Sequence, residues 1–273
     1  MWDLSEQVIV VTGATSGLGR YLVQELTGSG ATVVTHGRDA SKLAGLRDEV
    51  PAIETVQADL ADLREVDRLA GELAERLGRL DVLVNNAGIG FGGPGSGRET
   101  SAQGYELRFA VNYLAGYHLA RRLVPLLVAS APARVVNVAS LGQEPLDFDD
   151  PMLERRYSGT VAYRRSKLAQ IMFTVDLAEE LAGRGVTANA LHPATFMDTF
   201  MVREGGIEPI NTVEQGGAAT LRLIAAPELD GVTGRFFDGT SESRPDPQAH
   251  DPAARARLRE LSDDLVAAAL ARR

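Results

Sequence analysis

Cysteine is absent from the 273-residue chain. That excludes disulfides, thiol nucleophiles, iron–sulfur clusters and cysteine-rich zinc sites. Histidine is scarce: His36, His118, His192 and His250 show no metal-ligand spacing, so no metal site is expected. Positive charge is in deficit. Lys and Arg number 28 against 37 Asp and Glu, a net charge of −9. Affinity for nucleic acid or an anionic membrane is therefore not expected, and any anionic ligand must be held by local groups. No run reaches the ~18 apolar residues of a membrane-spanning helix. The opening residues Met1-Trp2-Asp3-Leu4-Ser5-Glu6 lack the basic start and apolar stretch of a secretory signal. A cytoplasmic protein without membrane attachment is the expectation.

What is there is ordinary globular composition, 44% hydrophobic and 24% charged, which argues against disorder. At roughly 150 residues per domain the length allows one or two domains, either able to bury a full core. Short β-branched runs at 7–11, 31–35, 53–57, 81–84, 134–138, 186–191 and 234–237 read as strands. They alternate with helical patterns over 18–27, from 40, and over 63–77, 105–128, 157–182, 213–224 and 253–270. Pro125 is expected to bend or end the fourth of these helices. This alternation predicts an α/β fold: a Rossmann-type, doubly wound parallel sheet of about seven strands with helices on both faces. No linker or repeat divides it, so residues 1–273 are read as one domain.

The first strand runs into Thr12-Gly13-Ala14-Thr15-Ser16-Gly17-Leu18-Gly19. Glycines there permit a tight turn and a close approach of backbone N–H groups to a pyrophosphate, and the following helix aims its positive end at that anion. Cofactor choice is read after the second strand, in His36-Gly37-Arg38-Asp39. Gly37 brings no carboxylate, and Arg38 can grip a 2′-phosphate through a charge-assisted fork. A charge pair at about 4 Å is worth roughly 4 kcal/mol at an effective dielectric near 20, before desolvation. Asp39 reads as a helix cap and His36 as a strand-end residue, so NADP(H) is the expected cofactor. Asp59-Leu60 follows the third strand, where the carboxylate either accepts from an adenine amino group or caps the next helix. Asn85-Asn86-Ala87-Gly88 closes the fourth strand, with small residues that let backbone lie against a flat ligand.

Four polar residues follow in order. Asn112 lies in the helix after the dinucleotide loop, Ser140 ends the fifth strand, and Tyr163 and Lys167 stand one helical turn apart. Singly, each is a surface amide, a turn residue, a packing residue or a solvated charge. Jointly they suit reduction of a carbonyl. Tyr163 donates the proton, Ser140 holds the oxygen, and Lys167 lowers a phenol pKa that is ordinarily about 10.

These motifs resemble the short-chain dehydrogenase/reductase family over nearly the whole chain. Thr12 to Gly19 matches its glycine motif, Asn85 to Gly88 its Asn-Asn-Ala-Gly motif, and Tyr163 to Lys167 its Tyr-x-x-x-Lys motif. Leu146-Asp147-Phe148-Asp149-Asp150, Ser166-Lys167-Leu168-Ala169 and Leu191-His192-Pro193 are similar to its retinol-dehydrogenase-like branch. The resemblance implies cofactor contacts from Gly13, Thr15, Ser16, Gly17, Leu18, Gly19, Arg38, Asp59, Leu60, Asn86, Ala87, Gly88, Tyr163, Lys167 and Pro193. It also implies a Thr on the nicotinamide amide, Thr199 or alternatively Thr195, and an Asn112 that holds a water linking Lys167 to solvent. One departure is Pro193-Ala194, where the family has Pro-Gly; alanine does not take a positive φ cheaply. A homodimer through the helices at 105 and 157 is implied. The expected substrate is a small, hydrophobic carbonyl compound or alcohol, walled by loops 89–97, 141–156 and 194–212 and their Ile89, Phe91, Leu146, Phe148, Met152, Phe196, Met197, Phe200, Met201, Ile207 and Ile210. Segment 194–212 reads as a mobile lid. Two other readings are a C=C reductase of the same fold and a non-catalytic NADPH-binding sensor.

Overall fold

The computed structural model describes residues 2–93 and 95–271. Apolar, β-branched runs form the strands β1 (Val8–Val11), β2 (Thr32–Gly37), β3 (Glu54–Gln57), β4 (Val82–Asn85), β5 (Ala133–Val138) and β6 (Val186–His192). Two short strands follow, β7 (Phe236–Asp238) and β8 (Ser241–Ser243). The order across the sheet is β3-β2-β1-β4-β5-β6-β7-β8. Every pairing is parallel except β7 with β8. The eighth strand exceeds the seven expected. Ser241-Glu242-Ser243 is short and polar, and such an edge strand carries no hydrophobic signal.

The helices are α1 (Gly17–Gly28), α2 (Ala40–Glu49), α3 (Leu63–Arg76), α4 (Ala115–Ala129), α5 (Gly159–Glu180), α6 (Phe200–Glu204), α7 (Val213–Ala225) and α8 (Pro252–Ala271). One core, on the α3, α4 and α5 side of the sheet, contains Leu69, Leu123 and Leu168; the other, on the α1 and α7 side, contains Leu22, Leu26 and Leu223. Burial on both faces explains why the strands are apolar at almost every position. Asp39, Asp62, Ser158 and Thr212 cap α2, α3, α5 and α7 with their side chains. The Ser158 cap is why α5 starts at Gly159, just after the expected 157.

The expected helix over 105–128 is built in two windings. Phe109–Leu114 is π-helical and runs straight into α4. Pro125 sits inside α4 and does not end it. Segment 194–212, read as a mobile lid, contains α6 and a bridge from Met197 to Asn211. No helix among the described residues is long and apolar enough to cross a membrane.

Helix α8 lies across the outer side of the π-helical segment, α4 and α5. Tyr113 and Ser262 share a 2.7 Å hydrogen bond, Tyr117 donates to Asp263 (2.6 Å), and Arg255 pairs with Glu179 (2.9 Å) and Asp176 (3.4 Å). Its own Leu258 and Ala269 are buried. The face expected to meet a second copy thus carries the chain's own last helix. The segment before α8 reaches the loop after β5. Gln248 donates to Leu146 O and accepts from Leu146 N, while Asp246 N donates to Gln143.

Candidate active site

The carboxyl ends of β1 and β4 meet where the strand order reverses, the usual crevice for a ligand in such sheets. Gly13 and Gly17 take left-handed φ of 66° and 50°, cheap only for glycine. A Cβ on Gly13 would lie 2.7 Å from Ala87 Cα, and one on Gly19 would lie 2.3 Å from Gly13 O. The turn is therefore packed tight from behind. Asn86 Nδ2 donates to Thr12 O (2.8 Å) and Gly13 O (3.2 Å), and Thr12 Oγ1 accepts from Asn86 N and Ala87 N. The two motifs are one unit, with the Asn86 amide spent on the turn.

The front of the turn is open. Ser16 precedes α1 without a side-chain cap bond, and the first turn of α1 holds no acidic residue. Ser16 is exposed and Thr15 half-buried, whereas Leu18 and Gly19 are buried. These free N–H groups and the helix dipole fit a pyrophosphate. Arg38 is exposed at the end of β2, and Asp39 is committed to capping α2 through Ser41 N and Lys42 N. Gly37 is fixed by packing, since a Cβ there would meet Thr15 Cγ2 at 2.7 Å. Asp59 accepts from Ala61 N and does not cap α3, a role Asp62 takes. Leu60 is a core residue, leaving only its backbone for a ligand.

His36 does more than end its strand. Gly13 N–H donates to His36 Nδ1 (3.3 Å), so Nε2 carries the proton and donates to Ala58 O (3.0 Å). Burial pushes its pKa below the ordinary histidine range and keeps it neutral. The link spans strands distant in sequence, and nothing in the local pattern signals it.

Asn112 and Lys167 meet beside Gly88, where a Cβ would lie 3.4 Å from Asn112 Oδ1 and 3.5 Å from Lys167 Nζ, and Ser140 and Tyr163 meet beside Gly142, where a Cβ would lie 3.4 Å from Ser140 Oγ and 3.9 Å from Tyr163 Cε1. Asn112 Oδ1 accepts from Ile89 N (2.7 Å), and its Nδ2 donates to Ile89 O (3.1 Å) and Ser166 Oγ (3.0 Å). It ties the dinucleotide loop to α5. Ser140 Oγ accepts from Gly142 N (3.0 Å) and is hydrogen-bonded to the Tyr163 hydroxyl. Lys167 Nζ donates to Val138 O (2.8 Å) and Gln170 Oε1 (3.0 Å), and lies 5.8 Å from the Tyr163 ring centre. Burial raises the Tyr163 pKa, opposed only by Ser140, and lowers that of Lys167 to about 7. The direction at Tyr163 is thus upward and not the depression expected from Lys167, because burial outweighs the lowering by Ser140.

Of the expected substrate wall, Leu146 is buried, Phe148 and Met152 pack on one core, and Met197 packs on the other. Pro94 of loop 89–97 lies outside the described residues. Phe91 meets Tyr163 edge-on at 6.1 Å, and a Cβ on Gly205 would strike the Phe91 ring at 2.7 Å. Met201 lies on Gly90, and Thr199 Cγ2 lies on Gly17. Segment 194–212 thus rests on both the glycine turn and the Phe91 loop, while Phe196, Ile210 and 73%-exposed Phe200 face solvent. Arg108, buried and missed by sequence reasoning, pins that loop through Gly90 O (3.0 Å) and Glu99 (3.1 Å). Thr195 is held by His192 (3.0 Å), which leaves the Thr199 hydroxyl free of a capping bond. Ala194 has no positive φ; among the non-glycine residues of this segment Phe196 is left-handed, at 46°.

A dinucleotide crevice beside a buried Ser and Lys and a half-buried Tyr defines an oxidoreductase of the doubly wound class. The short chain dehydrogenase family model matches residues 7–207, and the chain belongs to that family. Human retinol dehydrogenase 14 is 36% identical, the match covering 95% of this chain and 86% of the relative. A probable oxidoreductase of Streptomyces lividans is 36% identical, covering 97% and 99%. Among solved structures, an uncharacterised protein from Mycobacterium Paratuberculosis aligns with a TM-score of 0.82 at 28% identity, covering 98% of this chain and 96% of that one. The RhlG/NADP active-site complex of Pseudomonas aeruginosa aligns with a TM-score of 0.71 at 28% identity, covering 86% and 95%.

Proposed function

We propose that the chain is an NADP(H)-dependent reductase that interconverts a hydrophobic carbonyl compound and its alcohol. The observation that carries this is the meeting of Tyr163 with Ser140 beside Gly142 and with Lys167, whose Nζ lies 5.8 Å from the Tyr163 ring centre. The open glycine turn and exposed Arg38 support a phosphorylated dinucleotide, as does the NADP held in the active site of RhlG. The retinol dehydrogenase relatives support alcohol and carbonyl chemistry.

The glycine turn and Arg38 would hold NADPH in this crevice, and the cofactor would supply the hydride for the carbonyl carbon. Tyr163 gives its hydroxyl proton to the oxygen, and Ser140 holds that oxygen by hydrogen bonding. A raised Tyr163 pKa keeps the phenol protonated at neutral pH, which favours reduction. Lys167, with a pKa of about 7 and its Nζ 5.8 Å from the Tyr163 ring centre, supplies positive charge near the phenolate left behind. The half-buried Phe91 against Tyr163 provides an apolar wall.

Fluorescence titration tests the cofactor assignment. NADPH should bind at least tenfold more tightly than NADH, and Arg38→Ala should erase most of that difference. Equal affinities in the unaltered chain would overturn it.

A further inference from the structure

Gln170 is 3% exposed in the middle of α5, flanked by buried Ala169, Ile171 and Met172. Burying an amide there costs free energy that an apolar side chain would not. The helix pattern gives no reason for it. Lys167, three residues earlier and on the same side of the helix, does. Gln170 Oε1 accepts from Lys167 Nζ at 3.0 Å, and Val138 O accepts at 2.8 Å. An ammonium only 3% exposed is thus carried by two neutral oxygens. Burial alone moves its proton affinity, with no carboxylate to offset it.

The surroundings leave Gln170 little freedom. Its backbone carbonyl accepts from Thr174, which accepts from Asn137, which accepts from Asn85. Beside it lies a cavity of about 10 Å³, lined by Asn85, Asn112 and Gln170 among others. That volume holds about one water, so the side chain cannot swing off Lys167 into it. The titratable groups facing the ammonium are Tyr163 on α5 and His192 on β6, the latter coupled to Asp238 of β7.

We propose that Gln170 is a positioning residue for the reaction: its side-chain carbonyl holds Lys167 beside Tyr163 and stabilises the ammonium there. The contact stands by itself, and its catalytic consequence rests on the function proposed above.

Lys42 and Lys167 are the only lysines in the sequence. Selective ¹³C labelling of lysine therefore gives two Cε resonances, with exposed Lys42 as internal reference. In the unaltered chain the Lys167 signal should titrate near 7. Gln170→Met keeps the length and removes the acceptor. It should lower the Lys167 midpoint by about one unit, the size of one hydrogen bond to a charged group. Gln170→Glu should raise it, and Lys42 should not move in either variant. This readout needs neither cofactor nor substrate, so its failure is distinct from failure of the NADP(H) reading. With NADPH and 4-nitrobenzaldehyde as probes, the acidic limb of the kcat profile should move with the lysine. A Lys167 midpoint unchanged in both variants overturns the proposal.

Discussion

Burial acts on Tyr163 and Lys167 in opposite directions, each towards its neutral form. Tyr163→Phe keeps the ring and its edge contact with Phe91 but removes the proton. Carbonyl reduction should fall by at least ~100-fold, the lower end of what a positioned acid contributes, while NADPH affinity changes less than about twofold. Lys167 also leaves a mark on stability. Its folded pKa is about 7 against an ordinary 10.5. Between those values the unfolded chain holds a proton that the folded chain does not, so stability rises with pH across this window, by up to ~1.4 kcal/mol per unit. Urea unfolding at pH 7, 8 and 9 should show that slope in the unaltered chain. It should be reduced in Lys167→Met, and parallel curves would contradict the burial argument. Ser140 and Arg38 were legible in the sequence because each follows a predictable strand, Tyr163 and Lys167 because they stand one helical turn apart, and Asn112 only through its order among the other three. His36, Arg108 and Gln143 were not. Their partners lie 23, 18 and 103 residues away for Gly13, Gly90 and Asp246, and no local pattern encodes a contact between distant segments.

Among elements, the π-helical turn and the 194–212 segment illustrate what hydrophobic spacing resolves. It found a helix around Asn112 but not its winding, because three to four apolar positions per two turns fit either geometry. It found no order in 194–212, because α6 is one short turn held by neighbours. Asp198 N donates to Asn211 O (3.0 Å), and Asn211 Nδ2 donates to Thr195 O (2.5 Å). Ordering a residue costs roughly 1–2 kcal/mol of backbone entropy, and these bonds mean that much of that cost is met before a ligand arrives. Closure should then be small. Hydrogen exchange over residues 198–206 should slow by no more than about tenfold on adding NADPH, a local opening change of ~1.4 kcal/mol. Slowing confined to 141–156 would show that the other loop does the closing.

For the whole molecule, the sheet order followed from the alternation of strand and helix, but the place of α8 did not. Its polar links run from Tyr113 to Ser262 and from Tyr117 to Asp263, 149 and 146 residues apart. Pairing through α4 and α5 would have to displace a helix that buries Leu258 and Ala269. We therefore expect light scattering at micromolar concentration to give the mass of a monomer, 29.2 kDa. The mass of a dimer would overturn this expectation.

The tie between Gln248 and Leu146 has a consequence for how the chain is made. Those residues stand 102 positions apart, so at roughly 5–20 residues per second about 5–20 s separate their synthesis. By then β1 to β4 and the glycine turn are already available to fold. The loop after Ser140 must wait for its anchor, so the nascent protein should be able to grip a dinucleotide well before it can reduce anything with it.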